Sequence, residues 1–180
     1  MSEIRNIIEN LLKKNLSFLN EGVEDIIYRT YGNEHNLDNN IYRSEMNKPR
    51  GGLWGCRDDS WREWCNSNDF ECSTNSFEWR LKPGSKVFTI DSSNDFLDLL
   101  ENYASPDDYG DLYIDFMELS HDYDAVELTE RGNRALHFSI KNPEYESRGY
   151  KRALTIALNL WDIPSICVFH PRECVEVINQ

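Results

Sequence analysis

Four consecutive residues, Gly51-Gly52-Leu53-Trp54, are the most chemically specific feature of this chain. Paired glycines let a backbone approach a ligand closely, and a tryptophan just beyond them offers a flat face for stacking. The same residues also suit a tight turn ahead of a buried aromatic strand. Ser60 with Glu63 three residues later has the spacing of a capping box, which predicts a helix start whose free N–H groups could face an anion. Other reactive types lack a pattern. His121 lies near Asp122 and Asp124 but has no second convincing ligand group, and it reads as a helix-end residue. His35 and His137 are isolated, and His170 reads as part of a His-Pro turn. Cys56, Cys65 and Cys72 are separated by eight and six residues with no CxxC pair, which argues for buried thiols over zinc ligands. No GxSxG and no P-loop occurs.

Three stretches carry a family resemblance: KPRGGLWGCRDDSWREWC, DYDAVEL and WDIPSICVFHP. Together they resemble a family of small phage- and prophage-associated proteins that shows a KPxGGLWxS block, a YDAI strand and a closing WDxDSIVVFNP strand. That family is similar in turn to the ADP-ribosyltransferase fold. The resemblance runs from near Ile26 to Pro171 and leaves the N-terminal segment as an addition.

What the resemblance implies is an NAD site. Gly52, Leu53 and Trp54 match the element that builds the nicotinamide pocket, with the aromatic ring stacked on nicotinamide. An Arg or His on the first strand contacts NAD in that larger group, and the run IIYRTYG supplies Arg29, with Thr30 beside it. Arg29 would hold a pyrophosphate bidentately. Breaking a ribose–nicotinamide bond passes through an oxocarbenium-like state, as glycoside hydrolysis does, so a carboxylate near the ribose is required. Asp162 and Glu127 are the two candidates. The chain departs from the pattern twice: Thr30 stands where the phage family has His, and Ser165 where many transferases carry the catalytic Glu.

The elements that must position these residues can be read from periodicity. Ser2 to Asn20 predicts an amphipathic helix, with Ile4, Ile7, Ile8, Leu11, Leu12, Leu16 and Leu19 at helical spacing. This divides the chain into an N-terminal helix over 1–22 and a domain over 23–180. Strands are predicted at Asp25–Tyr31, Leu53–Cys56, Tyr123–Leu128 and Ser165–Phe169, and a helix from Ser60. Phe77–Leu81 and Lys86–Ile90 read as two strands joined by a Lys82-Pro83-Gly84 turn. Asp95–Tyr103, Asp111–Ser120 and Tyr150–Trp161 read as helices, Thr129–Arg134 as a turn, and Leu136–Ile140 as a further strand. Most strands are joined by turns, which favours α+β over a doubly wound sheet; the resemblance implies a single ADP-ribosyltransferase-like domain with a mixed or antiparallel split sheet and flanking helices.

Composition bounds the functional classes. The 180 residues include 22 aromatics, and mean hydropathy is −0.66, which suits a folded, soluble domain. No apolar run approaches the ~20 residues of a membrane span, and no secretory leader is recognisable, so the expectation is a cytoplasmic protein with reduced thiols. The formal charge of −13 is concentrated: residues 91–130 hold 13 Asp or Glu and no Lys or Arg. Such a surface repels a phosphate backbone and attracts a basic protein. Two functions follow as expectations. The first is an NAD-binding ADP-ribosyltransferase-like protein of phage or prophage origin that modifies a host protein or nucleic acid. The second is an inactive relative that binds a basic host defence or nucleic-acid-binding protein through its 91–130 face.

Overall fold

In a computed structural model, residues 26–43, 46–140, 148–161 and 163–179 are described. The predicted N-terminal helix and Asp162 lie outside them. The described residues form nine strands and six α-helices, in order β1 (Tyr28–Tyr31), β2 (Leu53–Gly55), α1 (Ser60–Ser67), β3 (Ser76–Leu81), β4 (Val87–Ile90), α2 (Ser93–Tyr103), β5 (Ala104–Pro106), β6 (Leu112–Ile114), α3 (Phe116–Asp122), β7 (Ala125–Leu128), α4 (Glu130–Ser139), α5 (Arg148–Leu160), β8 (Ser165–Val168), α6 (Pro171–Cys174) and β9 (Val175–Asn179), with a 3-10 turn at Glu34–Asp38 between β1 and β2.

Alternation of side chains along β7 and β8 organises the interior. Val126 and Leu128 of β7 and Cys167 of β8 face one way; Ala125 of β7 with Ile166 and Val168 of β8 face the other. Every residue of both strands is buried, as strands covered on both faces must be. The sheet β2-β8-β7-β4 is therefore the middle layer, antiparallel except for the parallel β4–β7 pair. One of its faces packs on α2, α3, α4 and α5 through Phe96, Leu99, Leu119, Leu136, Leu154 and Ala157. Its other face meets the antiparallel sheet β1-β3-β9 through Tyr28, Phe77, Trp79 and Leu81. The fold is thus a mixed α/β domain with a split sheet. A small hairpin, β5-β6, stands apart from both sheets. Among the described residues no helix is long and apolar enough to cross a membrane.

The two sheets are stitched at one point. The Arg29 N–H donates to the Cys56 carbonyl at 2.8 Å, and the Cys56 N–H donates back to Arg29 at 3.0 Å. β1 and β2 therefore run side by side for one bridge and then diverge, which opens a cleft between them.

Several sequence expectations are corrected. β3 and β4 do not form a hairpin: β3 already has β1 on one edge and β9 on the other, so β4 joins the other sheet. The turn expected at Thr129–Arg134 and the strand expected at Leu136–Ile140 are instead one helix, because the Thr129 hydroxyl accepts from the Gly132 N–H at 3.0 Å and caps α4. The predicted helix 111–120 begins later, at Phe116. Asp115 caps it by accepting from the Met117 and Glu118 N–H groups, and Leu112–Ile114 forms β6 instead. The Ser60–Glu63 capping box is absent, since Asp59 occupies the N-cap and makes no side-chain cap hydrogen bond. The remaining runs at β1, β2, β7, β8, α2 and α5 lie where the sequence places them.

Candidate functional site

The Gly51-Gly52 pair turns the chain into β2 in a way no side chain would permit. Both residues have positive φ, 82° and 68°. A Cβ on Gly52 would lie 2.6 Å from the Val168 carbonyl oxygen and 2.7 Å from Cys167 Sγ. The chain thus passes flat against β8, and Trp54 emerges from it. The Trp54 indole N–H returns to the Gly51 carbonyl at 3.0 Å, which fixes the ring's tilt. Trp161, at the end of α5, meets that ring edge-on with centres 5.5 Å apart. The Lys48 ammonium lies over it, 4.8 Å from the ring centre.

These rings form a wall of a cleft of about 350 Å3 between β1 and β2. Of the residues singled out by sequence, Arg29, Thr30, Gly52 and Trp54 line it together. Leu53 does not: the strand's alternation turns its side chain to the layer between the sheets, where it is fully buried. Sequence reasoning missed Lys48, Asn39 and Trp161 as cleft residues. Asn39 donates its amide to the Gly52 carbonyl at 3.0 Å and so holds the glycine turn. Lys48 and Trp161 both stand inside the quoted motifs, three residues before Gly51 and four before Ser165, and those offsets were the available signal.

Arg29 is less open than a phosphate clamp should be. Its guanidinium pairs with Asp59 and donates to Glu78 at 2.7 Å. Glu78, then Tyr31 and Asp59, hold its pKa above the ordinary arginine value. Tyr31 donates to Asp59 at 2.5 Å; that bond, followed by Arg29, holds the Asp59 carboxyl below its usual range. No carboxylate lines the cleft among its described residues, so its cations are Arg29, which is already neutralised, and Lys48.

Glu127 sits elsewhere. It opposes Ile166 across β7 and β8 and faces the layer between the sheets, at the edge of a second cleft of about 490 Å3. There Arg57 donates Nε and Nη2 to its two oxygens, each at 2.7 Å, and the Tyr28 hydroxyl donates at 3.3 Å. Burial above all, with the Glu127 charge, raises the Tyr28 pKa. Ser165 borders both clefts and accepts the Trp161 indole N–H at 2.8 Å. Burial also pushes up the thiols of Cys56, Cys167 and Cys174, the last to about 12. These are packing groups at neutral pH, not nucleophiles.

The 91–130 carboxylates divide by role. Asp91 pairs with Arg131, Asp95 supports the start of α2, Asp111 pairs with Arg152, Asp115 caps α3, Asp124 accepts from the Lys86 N–H, and Glu127 binds Arg57. The others are exposed. No protein-family model matches the chain, and neither a curated protein nor a solved structure does.

Proposed function

We propose that the protein binds NAD in the cleft between β1 and β2 and acts as an ADP-ribosyltransferase-like enzyme. One observation carries the reading: the fold brings Arg29, Thr30, Gly52 and Trp54, four residues from two distant motifs, into one cleft walled by a second tryptophan. The face of Trp54 that holds the Lys48 ammonium is one that attracts a cation. Oxidised nicotinamide is a planar cation of the size of that face. Gly52 has no side chain because its Cβ would strike β8, and this close packing of the turn is what sets Trp54 into the cleft wall.

In this reading Trp54 and Trp161 orient the nicotinamide and exclude water from it. Lys48, on its flexible stem, turns from the ring to the phosphate oxygens, a part that Arg29 is poorly placed to take. NAD supplies the ribose–nicotinamide bond, whose cleavage builds positive charge on the ribose. A carboxylate must face that charge. Glu127 lines the other cleft, and Asp162, the second carboxylate that the resemblance offers, lies outside the described residues; it is the one taken for this part. The alternative, inhibition of a basic partner through residues 91–130, is weakened because at least eight carboxylates of that segment, Asp107 and Asp122 among them, are already engaged within the fold.

Calorimetric titration with NAD tests the reading. Saturable binding below about 1 mM is expected, weakened at least tenfold in Trp54→Ala. Asp162→Asn should retain binding and lose NAD-dependent labelling of acceptors. Wild-type protein that fails to bind NAD overturns the assignment.

A further inference from the structure

Outside the mouth of the cleft stand three aromatic rings that belong to neither core cluster. Trp61 and Trp64, three residues apart on α1, stack with ring centres 5.1 Å apart and planes 11° from parallel. Phe70 turns its ring against both, at 6.2 and 5.8 Å, while remaining 56% exposed. The chain bends sharply to bring it there. Asp69 adopts a left-handed conformation (φ 51°), and the Phe70 N–H donates to the Cys65 carbonyl at 2.9 Å. Left-handed backbone is unfavourable for a non-glycine residue, although Asp tolerates it better than most. Here it holds an apolar ring at the surface, where core burial gives no return. Trp61 also lines the cleft, so the patch continues from it.

Charge around the patch selects what can cover it. Asp58, Asp59, Glu63, Asp69 and Glu71 are all exposed, against Arg62 as the one cation between positions 58 and 72. Asp59 is engaged with Arg29 and Tyr31, and Arg62 lies over the Tyr31 ring at 4.8 Å. Asp58 lines the other cleft, which leaves Glu63, Asp69 and Glu71 exposed and close in the chain to the three rings. Carboxylates repel phosphate, whereas aromatic faces rimmed with carboxylates suit guanidinium and ammonium groups.

We infer that Trp61, Trp64 and Phe70 form a docking surface for a cationic polypeptide segment carrying Arg or Lys side chains. The inference rests on the NAD reading in one respect: a segment docked here reaches the cleft mouth at Trp61, which makes a basic protein segment the acceptor.

The test titrates a labelled ten-residue Arg/Lys peptide, an acidic peptide of the same length and a single-stranded oligonucleotide into the full chain at about 0.15 M salt. The basic peptide alone should bind. Trp64→Ala and the more exposed Phe70→Ser should each weaken it about fivefold or more. The triple neutralisation Glu63→Gln, Asp69→Asn, Glu71→Gln should do the same. A control triple on the other acidic segment, Asp98→Asn, Glu101→Gln, Glu118→Gln, should change affinity less than about twofold, the loss expected of distant screened charges. Equal losses from both triples, binding indifferent to Phe70, preference for the oligonucleotide, or Phe70-dependent self-association in sedimentation would each overturn the inference. NAD titration of the same variants separates the two readings. Peptide binding that depends on Phe70 in a chain that ignores NAD removes the acceptor role and the NAD assignment but keeps the docking surface.

Discussion

Thr30 donates its hydroxyl to the carbonyl oxygen of Trp54 at 2.6 Å, tying the first strand of one sheet to the first strand of the other. The Thr30 hydroxyl oxygen in turn accepts the Trp79 indole N–H at 2.8 Å. A residue expected to touch cofactor is thus also a clasp that sets the width of the cleft. Its hydroxyl is committed at both ends, so it shapes the wall and leaves ligand contact to its neighbours.

Thr30→Val keeps the shape and removes both bonds, leaving a buried indole N–H without an acceptor. The expected cost is about 1–3 kcal/mol, read from the urea midpoint. Thr30→Ser should recover most of it. Equal stability of Thr30→Val and wild type would show that the clasp does not hold the sheets.

Acid should loosen the same region. Asp59 and Glu78 both support Arg29, and both carboxyls are held below their ordinary values of 3.8 and 4.5, Asp59 chiefly by Tyr31 and Glu78 chiefly by Arg29. Each therefore binds a proton less readily folded than unfolded. Their contribution is complete above the ordinary value and is lost as pH falls through the lowered one. Thermal melts between about pH 2 and 6 should show stability declining below about pH 4. The drop should be modest, because Asp59 is exposed and Glu78 is only half-buried, so solvent screens both. In an Asp59→Asn, Glu78→Gln double variant the decline should be shallower; an unchanged slope would place the acid sensitivity elsewhere.

Lys48 separates two parts of the proposed ligand. Lys48→Gln removes the cation that lies over Trp54 and should weaken ADP-ribose about tenfold, the scale of a charge-assisted hydrogen bond. Nicotinamide riboside, which lacks phosphate, should bind no worse, since the ammonium no longer occupies the Trp54 face. Isothermal titration with the two fragments decides it. Loss of both together would mean that Lys48 maintains the wall and does not meet phosphate.

The strands and the glycine turn that border this cleft were legible in the sequence because each is local, whereas the grouping of Arg29 with Trp54 was implied only by the family resemblance. The paired glycines, the following tryptophan and the IIYRTYG run each announce a strand and a turn from their own neighbours. What was hidden depends on partners far along the chain. VEVIN, for which the sequence predicts no element, becomes β9 because β3 offers it a free edge. The Lys82-Pro83-Gly84 turn looks like a hairpin turn until β1 and β9 fill both edges of β3; the Lys82 N–H then bonds the Cys174 carbonyl at 2.8 Å. Leu136–Ile140 carries no local sign of helix, which enters from the Thr129 cap seven residues earlier. The faces of β7 were equally illegible, because AVEL is buried on both sides and shows no alternation in polarity.

That last ambiguity decides what Glu127 does. On the face it occupies, Arg57 closes a bidentate pair over a carboxylate that is 6% exposed, and Tyr28 completes its shell. Arg57→Ala should cost about 2 kcal/mol, less than a fully buried pair, because the guanidinium is itself half-exposed. Removing the charge as well, in Arg57→Ala with Glu127→Gln, should restore part of that loss, since no buried anion is left unpaired. Glu127→Gln alone should leave NAD affinity within about twofold of wild type, as expected for a side chain on the opposite face of the sheet. Collapse of NAD binding or labelling in a stably folded Glu127→Gln would instead mean that the two clefts communicate through Ser165, their shared wall. The carboxylate facing the ribose would then be Glu127, and Asp162→Asn should retain activity.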